Sequence, residues 1–94
     1  MAFAITRFTP VDYEKWHAFH ATFLDRLRRE GTVTSEWICR DIAEPKTVVI
    51  VQEVTNPSAL QAFHGSDEVR AVAATSPIEG PPQFWLVEQV EKVI

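Results

Sequence analysis

The chain has 94 residues, 46% of them hydrophobic and 23% charged, with a net charge of −4. That length admits one core and no second domain, and the composition is globular rather than disordered. The nine basic residues are scattered, gathering only at Arg26, Arg28 and Arg29, which speaks against nucleic acid as a partner.

No apolar run approaches the roughly 18 residues that a membrane span requires, so no membrane association is expected. The opening "MAFAITRFTP" lacks the basic and long apolar regions of a signal peptide. Cys39 is the only cysteine, so no internal disulfide can form and a cytoplasmic location is the default expectation. The apolar fraction is generous for so small a domain, and a cavity or a subunit interface would use the excess.

"AFAITRFT" is rich in β-branched and aromatic residues and predicts a strand over residues 2–9. Pro10 ends it, and Thr9 or Asp12 caps a helix over residues 13–30 that Gly31 closes in the left-handed conformation. A partly alternating strand follows over 33–42, then a turn at "AEPK" and a strong strand over 47–54. The β-branched run Val48 to Val51 implies cover on both faces of that strand. Asn56 as N-cap with Pro57 behind it opens a second helix, and Ser66, followed by Asp67 and Glu68, re-caps a second piece of it. "TSPIEGPP" reads as a turn-rich loop and "QFWLVEQVEKV" as the last strand.

The order β-α-β-β-α-β is the ferredoxin-like α+β plan: a four-stranded antiparallel sheet with two helices on one face. The opposite face would be bare, and pairing two sheets across a two-fold axis would cover it. A homodimer through sheet-to-sheet packing is therefore expected.

Three stretches carry a family resemblance. Asp12, Tyr13 and Trp16 form a "DY..W" helix start, "IAEPKTVVIVQEVTNPSALQAFHGSDEVR" supplies a long central pattern, and "IEGPPQFWLVEQ" supplies the ending. Together they resemble the dimeric α+β barrel superfamily, which includes antibiotic-biosynthesis monooxygenases and small polyketide cyclases. The local likeness is to short bacterial members labelled cyclases. The resemblance implies a dimer with a small-molecule cavity between the helices and the sheet of each subunit, over residues 1–94.

On a helical wheel of about 100° per residue, Tyr13, Trp16, His20, Phe23, Leu24 and Leu27 share one face. His20 lies near the middle of this stripe and His17 on its border. His20 is either a core imidazole satisfied by a hydroxyl or backbone group, or an acid/base in the implied cavity. His17 is a partly exposed residue or an assistant to His20. The pair lacks the further ligands that zinc requires, and haem binding, known in some superfamily members, has no second motif here, so no metal or cofactor is expected.

Arg70 reads as a salt-bridge residue or as a holder of developing oxyanion charge. Cys39, on one strand face with Ser35 and Trp37, reads as a buried thiol rather than a nucleophile, though it could line the cavity. Trp37 and Trp85 are core or interface aromatics able to stack on a flat ligand. One of Gln52 and Glu53 must face the cavity and the other the opposite face.

The leading expectation is a cofactor-independent enzyme of cyclase or isomerase type acting on a small hydrophobic, aromatic or polyketide-like molecule. His20, His17 and Arg70 would be catalytic, with Tyr13, Trp16, Phe23, Trp37, Cys39, Gln52 and Trp85 around the substrate. One alternative is a non-catalytic ligand-binding dimer. The other is a cofactor-free monooxygenase, weakened because such members commonly place an asparagine beside a cavity tryptophan, and Asn56 is the only asparagine here.

Overall fold

The computed structural model describes residues 1–94. Asp12 starts the first helix, its carboxylate accepting the backbone N–H of Lys15 at 3.0 Å. Helix α1 (Tyr13–Arg29) ends as its sequence demands. Gly31 takes φ +73°, and the N–H groups of Gly31 and Thr32 return to the carbonyls of Arg28 and Leu27, a Schellman closure.

Helix α1 lies between strands β1 (Ala2–Pro10) and β2 (Val33–Arg40), which are followed by β3 (Val48–Val54). Helices α2 (Pro57–Gly65) and α3 (Asp67–Ala73) and strand β4 (Ile78–Glu88) complete the chain. All strand pairs are antiparallel, in the order β2-β3-β1-β4. The expected ferredoxin-like α+β plan is the one observed, with the second helix broken in two at Ser66.

Two strands, β2 and β4, differ from expectation in their extent. Strand β2 stops at Arg40 rather than residue 42, because the Asp41 side chain turns the chain by accepting the N–H groups of Ala43 and Glu44 at 2.8 and 3.2 Å. Those backbone donors, Glu44 foremost, and then Arg7 hold the Asp41 carboxyl below its usual range. Strand β4 begins at Ile78, inside the stretch read as a loop, and ends at Glu88 rather than near residue 93. Gly80, Pro81 and Pro82 face the single residue Phe8, a bulge that Gly80 permits with φ +67°. An edge strand tolerates prolines because one row of its N–H groups has no partner strand.

The pairing register assigns the faces. Val48, Ile50, Gln52 and Val54 of β3 point toward the helices and are buried, while Val49, Val51 and Glu53 point away and are only half-buried. One chain thus covers only one face of β3 fully, since the helices all lie on one side, and the expected cover of the other face is left to a second copy.

Under the helices two apolar clusters form. Ala2, Ala4, Leu27, Val54, Leu60 and Phe63 belong to the larger, and Phe8, Trp16, Val48 and Ile50 make the smaller. Gln52 sits on β3 between Ile50 of one cluster and Val54 of the other. This polar interruption is where the core opens.

Candidate active site

Between the two clusters lies a cavity of about 430 Å³, walled mainly by apolar side chains, among them Phe8, Trp16, Phe23 and Phe63. Its size falls within the range of small-molecule sites. Few polar groups interrupt the wall, and His20 and Gln52 are two of them.

His20 projects from the middle of α1, where the helical stripe meets the sheet. Its ring stacks on Trp16, with centroids 5.0 Å apart and planes 15° from parallel, and Trp16 packs in turn on Phe8 at 4.8 Å. The Nε2 atom of His20 lies 2.8 Å from Oε1 of Glu36, and the side-chain amide of Gln52 donates to that same oxygen at 2.7 Å. The His20 and Glu36 side chains are only 16% and 7% exposed, so the pair is shielded from water. Cross-strand pairing sets this up: Glu36 of β2 and Gln52 of β3 stand opposite each other on the helix-facing side.

A carboxylate only accepts hydrogen bonds, so a Glu36 carboxylate leaves the Nε2 proton on His20 in both charge states of the ring. In the neutral ring Nδ1 then carries the lone pair. Glu36 also stabilises the positive charge the ring acquires on taking a proton. This is the arrangement of an oriented general base.

Glu36 was not among the sequence candidates. Placing Ser35, Trp37 and Cys39 on one face of β2 already put Glu36 on the other, and a carboxylate facing a buried helix stripe needs a partner such as His20. His64, Phe19, Phe63 and Phe84 also line the cavity and were not anticipated. The His64 ring contacts Phe63 and Phe84, and desolvation lowers its pKa from the ordinary 6.5.

The structure brings Trp16, His20, Phe23 and Gln52 together on the cavity wall and leaves the other candidates off it. His17 is exposed on the border of the stripe, and Tyr13 is exposed against Trp16 at 5.7 Å. Arg70 is exposed on α3 and is not part of the cavity wall. Trp37, Cys39 and Trp85 point away from the helices, across the sheet from His20, which follows from their pairing with Val51, Val49 and Ile5. Cys39 is exposed rather than buried, because nothing in the chain covers that face.

No protein-family model matches the chain, and no curated protein matches it. Solved structures do resemble it. SnoaB, a cofactor-independent oxygenase from Streptomyces nogalater, has a TM-score of 0.76 at 12% identity, over 98% of this chain and 95% of that one. Rv0793 from Mycobacterium tuberculosis gives 0.73 at 15% identity, over 99% and 98%. A protein described as an antibiotic biosynthesis monooxygenase from Deinococcus radiodurans gives 0.72 at 12% identity, over 100% and 97%. At these identities the likeness is one of fold, the ferredoxin-like α+β plan described above.

Proposed function

We propose that this protein is a cofactor-independent enzyme that moves a proton on a small, largely apolar aromatic or polyketide-like molecule, with His20 as the acid/base. The observation that supports this most is the His20–Glu36–Gln52 arrangement on the wall of an otherwise apolar cavity. Neutral His20 takes a proton from an acidic C–H or O–H of the substrate through Nδ1, and Glu36 steadies the imidazolium. The proton then returns at another atom, which completes an isomerisation or sets up a ring closure. Gln52 spends one amide hydrogen on Glu36 and has a second for developing oxyanion charge. That takes over the role considered for Arg70. The apolar walls lower the local polarity and strengthen each of these interactions.

A second reading shares the first step. If dioxygen meets the substrate carbanion, one electron passes to oxygen, the two radicals join in a C–O bond, the proton held by His20 completes the hydroperoxide, and loss of water leaves a new carbonyl, so that the enzyme acts as a cofactor-free oxygenase. The fold shared with SnoaB favours this reading. Asn56 caps α2 by accepting the Ala59 N–H at 3.0 Å, so the carboxamide available in the cavity is that of Gln52.

Anthrone, which carries an acidic methylene, is a suitable probe. Under anaerobic conditions in heavy water the wild-type protein should accelerate deuterium uptake at that carbon by roughly a hundredfold or more over His20→Leu. Equal rates for the two proteins, with anthrone bound to both, would remove the catalytic reading and leave a ligand-binding protein. Oxygen uptake under air by the wild type alone would select the oxygenase.

The proposed assembly is a homodimer. Trp37, Val51, Ile5 and Trp85 form one row straight across the helix-free face of the sheet, apolar from edge to edge. A second copy of the same face, turned about a two-fold axis, is its natural cover.

A further inference from the structure

We propose that His64 is the second polar anchor of the cavity, binding a hydroxyl or carbonyl at the far end of an elongated planar aromatic whose acidic group sits against His20. This rests on the reading of the cavity as a small-molecule site.

His64 lies in the last turn of α2, and its ring is set between two phenyl groups. It meets Phe63 edge-on at 5.4 Å and Phe84 at 5.3 Å, and all three side chains line the cavity. The contacts hold the ring at the open rim of the cavity, where His64 and Phe84 are both still exposed to solvent. Partial desolvation by the two phenyl groups lowers its pKa from the ordinary 6.5 and so favours the neutral ring. A neutral imidazole has one donor and one acceptor to offer. His20 has a carboxylate to bond; His64 presents its nitrogens to whatever enters.

The two imidazoles reach the cavity from opposite sides. His20 is tied to Glu36 on β2, one edge of the sheet, and His64 rests on Phe84 of β4, the other edge. Three strand spacings of about 4.8 Å separate those edges. That width, roughly 14 Å, admits two or three fused six-membered rings with a polar group at each end. Between the two polar ends the walls are aromatic and aliphatic. A flat molecule with one polar group per end therefore fits better than a compact or singly substituted one.

The test compares 2-hydroxyanthraquinone with 2,6-dihydroxyanthraquinone, titrated into the wild-type protein, His64→Phe and His64→Gln. The phenylalanine keeps the packing on Phe63 and Phe84 and removes both nitrogens, while the glutamine supplies a donor and an acceptor without the ring. We expect the wild type to prefer the dihydroxy compound about three- to tenfold beyond the statistical factor, as one hydrogen bond would give. His64→Phe should lose that preference while keeping its affinity for the monohydroxy compound, and His64→Gln should recover part of it. If wild type and His64→Phe bind both compounds with the same ratio, His64 reads nothing and the cavity remains a ligand site. If neither compound binds the wild type, the small-molecule reading falls and this inference falls with it.

Discussion

Oxygen Oε1 of Glu36 accepts from two side chains at once, His20 at 2.8 Å and Gln52 at 2.7 Å. Replacing Glu36 with leucine strands the buried amide of Gln52, and leaving a buried polar group unpaired costs about 1–3 kcal/mol. Urea unfolding of Glu36→Leu should show a loss of that size. The double variant Glu36→Leu with Gln52→Leu should cost less than the sum of the two single changes. Strict additivity would mean that Glu36 and Gln52 do not act as a unit. His64 yields a pH prediction of known sign. Its folded pKa lies below the ordinary 6.5, so on acidification the unfolded chain takes up the proton first. Stability is therefore lost as pH falls from 6.5 through the lowered folded value. His64→Phe should flatten the pH dependence of the urea midpoint in that window, and an unchanged slope would show that another group sets it. The sequence distinguishes His20 from His17, because helical periodicity is a local property of α1. It does not pair His20 with Glu36, since that contact spans sixteen residues and depends on how β2 is registered against β3. The register shifts between Val33 and Ser35, and such a shift is invisible without the partner strand.

At the scale of elements, Ser66 does two jobs. Its hydroxyl donates to the carbonyl of Phe63 at 3.0 Å, closing α2, and accepts the N–H of Val69 at 3.2 Å, opening α3. Ser66→Ala should cost about 1 kcal/mol, the usual worth of an N-cap, in equilibrium unfolding. Because the same joint positions Phe63, His64 and Val69 on the cavity wall, the variant should also bind aromatic probes more weakly. A loss of stability with unchanged binding would show that the joint does not shape the cavity. Caps such as Asp12, Asn56 and Ser66 are legible because each is a side chain acting on a backbone three residues away. The beginning of β4 is not. Glycine followed by two prolines has the composition of a turn, and only the position of β4 at the sheet edge, with Phe8 opposite the bulge, lets that segment extend as strand.

For the molecule as a whole, the sheet presents two unlike faces. One carries the helices, the cavity and the His20–Glu36 pair, and the other carries the row Trp37–Val51–Ile5–Trp85. Trp37 and Trp85 are 50% and 45% exposed, a large apolar surface to leave in water at the ends of a continuous stripe. The run Val48 to Val51 is understandable on the same basis. Its even positions fill the core of one chain, and its odd positions lie on the helix-free face, where the proposed second copy would pack. Val51 lies between Trp37 and Ile5, and a lysine there would bury an unpaired charge in a sheet-to-sheet interface. Wild-type protein at micromolar concentration should therefore sediment as a dimer, and Val51→Lys should sediment as a monomer. A wild type that is monomeric under those conditions removes the proposed assembly. The same variant asks whether the site needs the partner. Val51 points away from the cavity, and each cavity residue comes from one chain, so a folded Val51→Lys monomer should still bind anthrone. Loss of binding in a monomer that unfolds at the wild-type urea concentration would mean that the dimer completes the cavity, with the partner supplying part of its wall.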